Sequence, residues 1–156
     1  MPLPHDNLTK LVHESELEAQ IQYELQRARR YSWDLSFVLI EPVLPEGVGG
    51  DMNYPALRQL ALCCQQVMRS VDKGVRCGSG ALYILPETPA EGAKIALQKI
   101  GEQFAEAKIS HPMTGDEVAC TARAGSFTYE ASGEAERQSS PPTWREVVRG
   151  LRGSMA

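Results

Sequence analysis

Arg69 and Asp72 stand three residues apart in the run RSVDKGVRCGSGALYILP, which spans Arg69 to Pro86. Arginine offers a planar fork matched to phosphate oxygens or to the O6/N7 edge of a guanine. An ionised aspartate accepts hydrogen bonds from a guanine's N1–H and N2–H, which lie on one edge. Set at a helix end and in the turn beyond it, the two side chains can grip two faces of a guanine nucleotide. Lys73 and Arg76 add local positive charge for an anionic ligand. The plainer alternative is that Arg69 and Asp72 pair only with each other, as a surface ion pair of small consequence.

Other reactive residues form no set. The chain has no G-x-x-x-x-G-K-[ST], no H-E-x-x-H and no G-x-S-x-G. His5, His13 and His111 are scattered and read as surface residues. Cys63, Cys64, Cys77 and Cys120 show no C-x-x-C spacing and read as buried, reduced thiols.

The elements that must hold Arg69 and Asp72 follow from periodicity. Leu57, Leu60, Ala61, Cys64, Val67 and Met68 make an apolar stripe at helical spacing, with Pro55 in the first turn. This helix runs to about Ser70, so it delivers Arg69 to its end and Asp72 to the next turn. A short strand follows, then Gly78-Ser79-Gly80, which supplies the positive-φ freedom of a tight hairpin. Ala81 to Leu85 is apolar throughout and reads as a strand buried on both faces.

Upstream, Ser15-Glu16-Leu17-Glu18 has capping-box form, and Leu17, Ile21, Leu25 and Ala28 carry one helix face to about Arg30. Arg27, Arg29 and Arg30 complement the dipole at its end. Leu35–Val43 is a central strand, nearly all apolar until Glu41-Pro42. Leu44 to Asn53 is glycine-rich loop. Downstream, Thr88-Pro89-Ala90-Glu91 opens a helix buried through Ala93, Leu97, Ile100 and Phe104, and His111 to Gly115 is turn-like. A strand lies within Val118–Tyr129, residues 132–142 are polar and read as mobile, and Thr143-Trp144-Arg145-Glu146 caps a last helix.

Arg76-Cys77-Gly78-Ser79-Gly80 and the apolar strand after it resemble the hairpin of GGDEF (diguanylate cyclase) domains. Arg69-Ser70-Val71-Asp72 sits where that family carries its RxxD inhibitory site for cyclic di-GMP. Asp6-Asn7-Leu8-Thr9-Lys10-Leu11 is similar to the family's D-x-L-T-x-L opening, and ARAGSFTY to a later strand. The resemblance covers about residues 6–152. It implies an α+β, nucleotide-cyclase-like fold, a mainly antiparallel sheet flanked by helices. It also implies that Lys99 falls at a second basic position of the RxxD site, and Glu41 at that of a metal-binding aspartate.

The departures bear on activity. The Gly78-Ser79-Gly80 turn is one residue short, and no Asp or Glu occurs between Arg76 and Leu85. Phosphoryl transfer relies on carboxylate-held metal ions to neutralise charge on the phosphate oxygens. Glu41 alone is a poor cradle for Mg²⁺, and Tyr54 stands where the family has a guanine-recognising aspartate, with Asp51 and Asn53 out of register. The expectation is therefore no enzyme and no resident cofactor.

At 156 residues, with 42% apolar and 23% charged residues, the chain reads as one domain, 1–156, possibly a piece of a larger protein. The net charge of −4 argues against general nucleic-acid binding. No apolar run reaches membrane-spanning length and the N-terminus lacks a signal-peptide core, which points to the cytoplasm. Two functions remain. One is a cyclic di-GMP receptor that signals by association with a second copy or a partner protein, in a bacterial process the family resemblance implies. The other is a ligand-independent interaction scaffold. The receptor requires Arg69 and Asp72 exposed together in a basic concavity; the scaffold predicts them mutually paired beside an exposed apolar patch.

Overall fold

A computed structural model describes residues 2–133 and 140–155. The elements run α1 (Leu17–Tyr31), β1 (Asp34–Val43), α2 (Asn53–Val67), β2 (Lys73–Cys77), β3 (Gly80–Pro86), α3 (Ala90–Glu106), β4 (Lys108–Ser110), β5 (Glu117–Ala119), β6 (Thr121–Glu130) and α4 (Trp144–Gly153). Four strands form an antiparallel sheet in the order β2-β3-β1-β6, and β4 and β5 pair separately. The α+β fold with a mainly antiparallel sheet is as the sequence predicts. Of the polar stretch 132–142, residues 134–139 lie outside the described residues.

The strand period of two divides the central strands between two cores. Val38, Ile40, Ala81, Tyr83 and Leu85 face α2 and α3, where they meet Leu60, Cys64, Ile100 and Phe104. Leu35, Phe37, Leu39, Leu82 and Ile84 face α1 and α4, where they meet Ile21, Leu25, Val147 and Leu151. Phe37 and Phe104 are fully buried, and each such ring is worth about 1.5–3 kcal/mol of transfer free energy. All four cysteines are buried and free, and burial pushes the Cys64 thiol up to about 12. No helix among the described residues is long and apolar enough to cross a membrane.

Three local expectations change. Ser15 does not cap α1; a short 3-10 turn, Glu14–Glu16, precedes it, and His13 Nδ1 accepts the Ser15 N–H. Thr88 does not cap α3, whose N-cap is Pro89, because its hydroxyl is engaged elsewhere. His111 to Gly115 is a turn as expected, joining two short strands, β4 and β5, but His111, expected at the surface, is half-buried with Nε2 2.5 Å from Asp51 Oδ2. The capping box at Thr143 forms as expected.

Candidate functional site

α2 ends at Val67, and Met68 leaves it in extended conformation. The chain then turns so that the Asp72 N–H donates to the Arg69 carbonyl at 3.0 Å. This folds the two side chains onto each other. Asp72 Oδ2 accepts the Arg69 backbone N–H at 2.8 Å and Nε–H at 3.3 Å, and Oδ1 accepts from Nη2 at 2.8 Å. Nη2 also donates to the Pro86 carbonyl at 2.9 Å and to Thr88 Oγ1 at 2.7 Å. Thr88 is itself fixed to β1: its N–H donates to the Asp34 carbonyl, and Ser36 Oγ donates to its carbonyl. The Asp72 side chain is 2% exposed and that of Arg69 51%. Asp72 beside the guanidinium holds it charged, raising its pKa further.

Arg69, Asp72, Glu87, Thr88 and Lys99 line one depression of about 300 Å³. Lys99 is exposed and makes no ion pair among the described residues. The expected Arg69, Asp72 and Lys99 therefore do come together. Lys73 is outside that depression, although it lines a second cavity of about 520 Å³ with Arg69 and Asp72, and Arg76 lines neither. Lys73 Nζ donates to Gln20 Oε1 at 2.6 Å and lies 3.9 Å from Glu24 Oε1, so its charge is held by α1. Arg76, an odd number of residues on, projects from the other face of β2. Its Nη1 reaches Asp6 Oδ1 at 2.8 Å, and it lines a separate cavity at the hairpin turn.

The Asp6–Arg76 pair anchors the N-terminal segment. Burial pushes the Asp6 carboxyl up, but the Thr9 hydroxyl and N–H and the Arg76 guanidinium outweigh it, so its pKa falls below the ordinary 3.8. The unfolded chain then binds the proton more readily, and Asp6 contributes stability that is lost as pH falls through the lowered pKa. Asp6→Asn is expected to lower the melting temperature at pH 7, with the gap to wild type closing at acid pH. Paired melts across pH check this.

At the hairpin, Gly78 has φ +59° and its N–H donates to Glu14 Oε1 at 2.6 Å. Ser79 is exposed, and Gly80 opens the buried strand β3. Glu41, at the end of β1, is 8% exposed. Arg123 Nη2 donates to its Oε2 at 3.2 Å and Arg152 Nη1 to its Oε1 at 3.0 Å. Arg123 is its cross-strand neighbour on β6, and Arg152 comes from α4.

Comparison with known proteins decides the family. The sequence model of the diguanylate cyclase GGDEF domain matches residues 3–139. The chain belongs to the GGDEF family. The GGDEF domain of DgcB from Caulobacter crescentus, solved in complex with c-di-GMP, is similar at TM-score 0.75 and 14% identity, over 93% of this chain and 81% of that one. The active GGEEF domain of a diguanylate cyclase from Vibrio cholerae is similar at TM-score 0.68 and 19% identity, over 93% and 94%. Diguanylate cyclase SiaD of Pseudomonas aeruginosa, solved with its activator SiaC, is similar at TM-score 0.74 and 17% identity, over 96% and 57%. No curated protein sequence matches.

In this GGDEF domain Glu41, Arg69, Lys73 and Arg76, expected to meet metal or phosphate, already have internal partners. A metal ion at Glu41 would face two guanidinium groups at 3.0 and 3.2 Å from that carboxylate, which oppose a second cation. Among the described residues no group of three or more His, Cys, Asp and Glu could hold a metal ion. Glu41, clamped in this way, is a poor fit to Mg²⁺. The sequence alone hides Glu14, Thr88, Arg123 and Arg152 as members of these sites. Only the strand register gives a hint, since β1 paired with ARAGSFTY sets Arg123 opposite Glu41.

Proposed function

We propose that this GGDEF domain is a non-catalytic receptor for cyclic di-GMP that acts by association with another protein or a second copy. One observation carries the reading: the half-exposed Arg69 and Lys99, which has no ion pair among the described residues, share a depression that also reaches Asp72. The c-di-GMP complex of DgcB and the SiaD–SiaC complex, both in domains of similar fold, are consistent with such a ligand and with a protein partner. The non-catalytic half rests on the turn without carboxylates and on the clamped Glu41.

Ligand entry must exchange bonds. Asp72 can meet a guanine edge only after Arg69 releases it, so the competent form is a minor population and affinity is reduced by that fraction. The joint exposure of Arg69 and Asp72 that the receptor requires is not met in this form, because the Asp72 side chain is 2% exposed; their mutual pairing is the arrangement a ligand-independent scaffold predicts, and it keeps that second reading in view.

Calorimetric titration of cyclic di-GMP tests the choice. The wild type is expected to bind at about micromolar affinity or tighter. Arg69→Ala is expected to lose about ten- to a hundredfold, the loss of charge-assisted hydrogen bonds. Absence of heat from folded wild type would leave the scaffold. Incubation with GTP and Mg²⁺ is expected to give no cyclic product by chromatography, and its formation would sink the non-catalytic half.

A further inference from the structure

We propose that the exposed groove beside α2 docks an extended acidic segment of a partner protein, glutamates or aspartates interspersed with apolar residues. Arg58, Leu62 and Gln65 fall at helical spacing on the exposed side of α2. They run along one continuous concavity rather than over a convex helix surface. A cavity of about 600 Å³ between α2 and β4 shares Leu8, Arg58 and Leu62 with the next, and that one shares Lys10 and Gln65 with a third.

Charge selects an anion. The groove's two carboxylates are both taken, Asp51 by His111 and Asp72 by Arg69. Of its cations, Arg69 and Lys73 in the third cavity are engaged, by Asp72 and by Glu24 with Gln20, whereas Lys10 and Arg58 are exposed and make no ion pair among the described residues. Lys108 reaches Glu117 only at 3.9 Å with both side chains exposed. A basic groove on a chain of net charge −4 is a local complement to an acidic ligand, not a general polyanion surface.

The remaining lining decides between ligand classes. Leu62 is 45% exposed and Tyr54 63%, with Pro55 and Pro112 alongside. Those apolar positions between cations suit a peptide with apolar side chains among its acids better than a polyphosphate backbone. An extended form is favoured by β4, which pairs only with β5 among the described strands while its residues line the groove. Lys10 adds a fixed wall: it holds φ +64°, costly for a non-glycine residue, in a turn closed by the Asp6 N–H to the Leu11 carbonyl. Beside α2 from Arg58 to Val67 the helix rises about 14 Å, room for about four extended residues.

The test is fluorescence polarisation with a labelled peptide of about eight residues, glutamates alternating with leucine and proline, long enough to overrun that stretch. The wild type is expected to bind it, and a glutamine-for-glutamate version about tenfold more weakly. Arg58→Glu and Leu62→Ala, both at exposed positions, are expected to weaken it about tenfold, with Arg58→Lys restoring most of the loss and circular dichroism unchanged. Cyclic di-GMP titration of Arg58→Glu should match wild type, because Arg58 lines neither of the two cavities that reach Arg69; failure of either reading is thus seen separately. The proposal is overturned by absent binding, by binding indifferent to Arg58→Glu, or by equal binding of a labelled oligothymidine. Wild-type dimerisation that Arg58→Glu abolishes, without peptide binding, would assign the groove to a second copy instead.

Discussion

Glu41→Ala is expected to melt about 4–8 °C below wild type, whereas adding Mg²⁺ or a chelator to wild type should leave the melting temperature unchanged. The carboxylate is 8% exposed and bonded to two arginines, so its removal strands two positive groups side by side. Breaking a fully buried ion pair costs about 3–5 kcal/mol. Exposed pairs are worth about 0–1 kcal/mol. The arginine side chains here are 51% and 48% exposed, which places the loss between these limits, near about 2 kcal/mol. In a domain of this size each kcal/mol moves the transition by about 2–4 °C. Glu41→Gln keeps an acceptor but not the charge, and should fall between the two. A metal ligand would behave oppositely: Mg²⁺ would raise the wild-type transition, and the alanine variant would lose that response. Thermal melts with and without the ion separate the accounts.

The fold was legible wherever one period ran long enough to be read. Leu17, Ile21, Leu25 and Ala28 mark the buried face of α1, and LSFVLIEPV marks the central strand. β4 and β5 escape that reading because three-residue strands are too short to show alternation. Capping signals were less secure, since Ser15 and Thr88 have the right spacing but meet other partners in three dimensions. The candidate site divides in the same way. Arg69 and Asp72 are close in sequence, and a helix end with a following turn must bring them together. Their closure onto Pro86 and Thr88 depends on where β3 ends, which no local pattern encodes. Lys73 and Arg76 were grouped with Arg69 on charge. The alternation of β2 already opposes that grouping, because residues an odd number apart leave a strand on opposite faces.

Gly80→Ala is expected to be the more damaging change in the hairpin, with Ser79→Ala nearly silent beside it. The two glycines of the turn are needed for different reasons. Gly78 holds φ +59°, where an added side chain costs about 1–2 kcal/mol. Gly80 has no such φ; a methyl group there would lie 2.4 Å from the Ile40 carbonyl oxygen and 2.7 Å from Glu41 Cγ. Ile40 belongs to β1, which is paired on both sides, with β3 and with β6, so its carbonyl has no room to yield. The hairpin must lift instead, weakening the Ile40–Ala81 pairing and displacing the Glu41 clamp. Overpacking of this kind costs about 1–3 kcal/mol. With the contact on a central main chain, the upper end applies, a loss of about 6–12 °C. Denaturant melts should rank Gly80→Ala below Gly78→Ala, and both below Ser79→Ala and wild type. That order would show the second glycine serving the sheet rather than a phosphate. A Gly80→Ala variant as stable as wild type would reverse the conclusion and return the turn to a ligand-binding role.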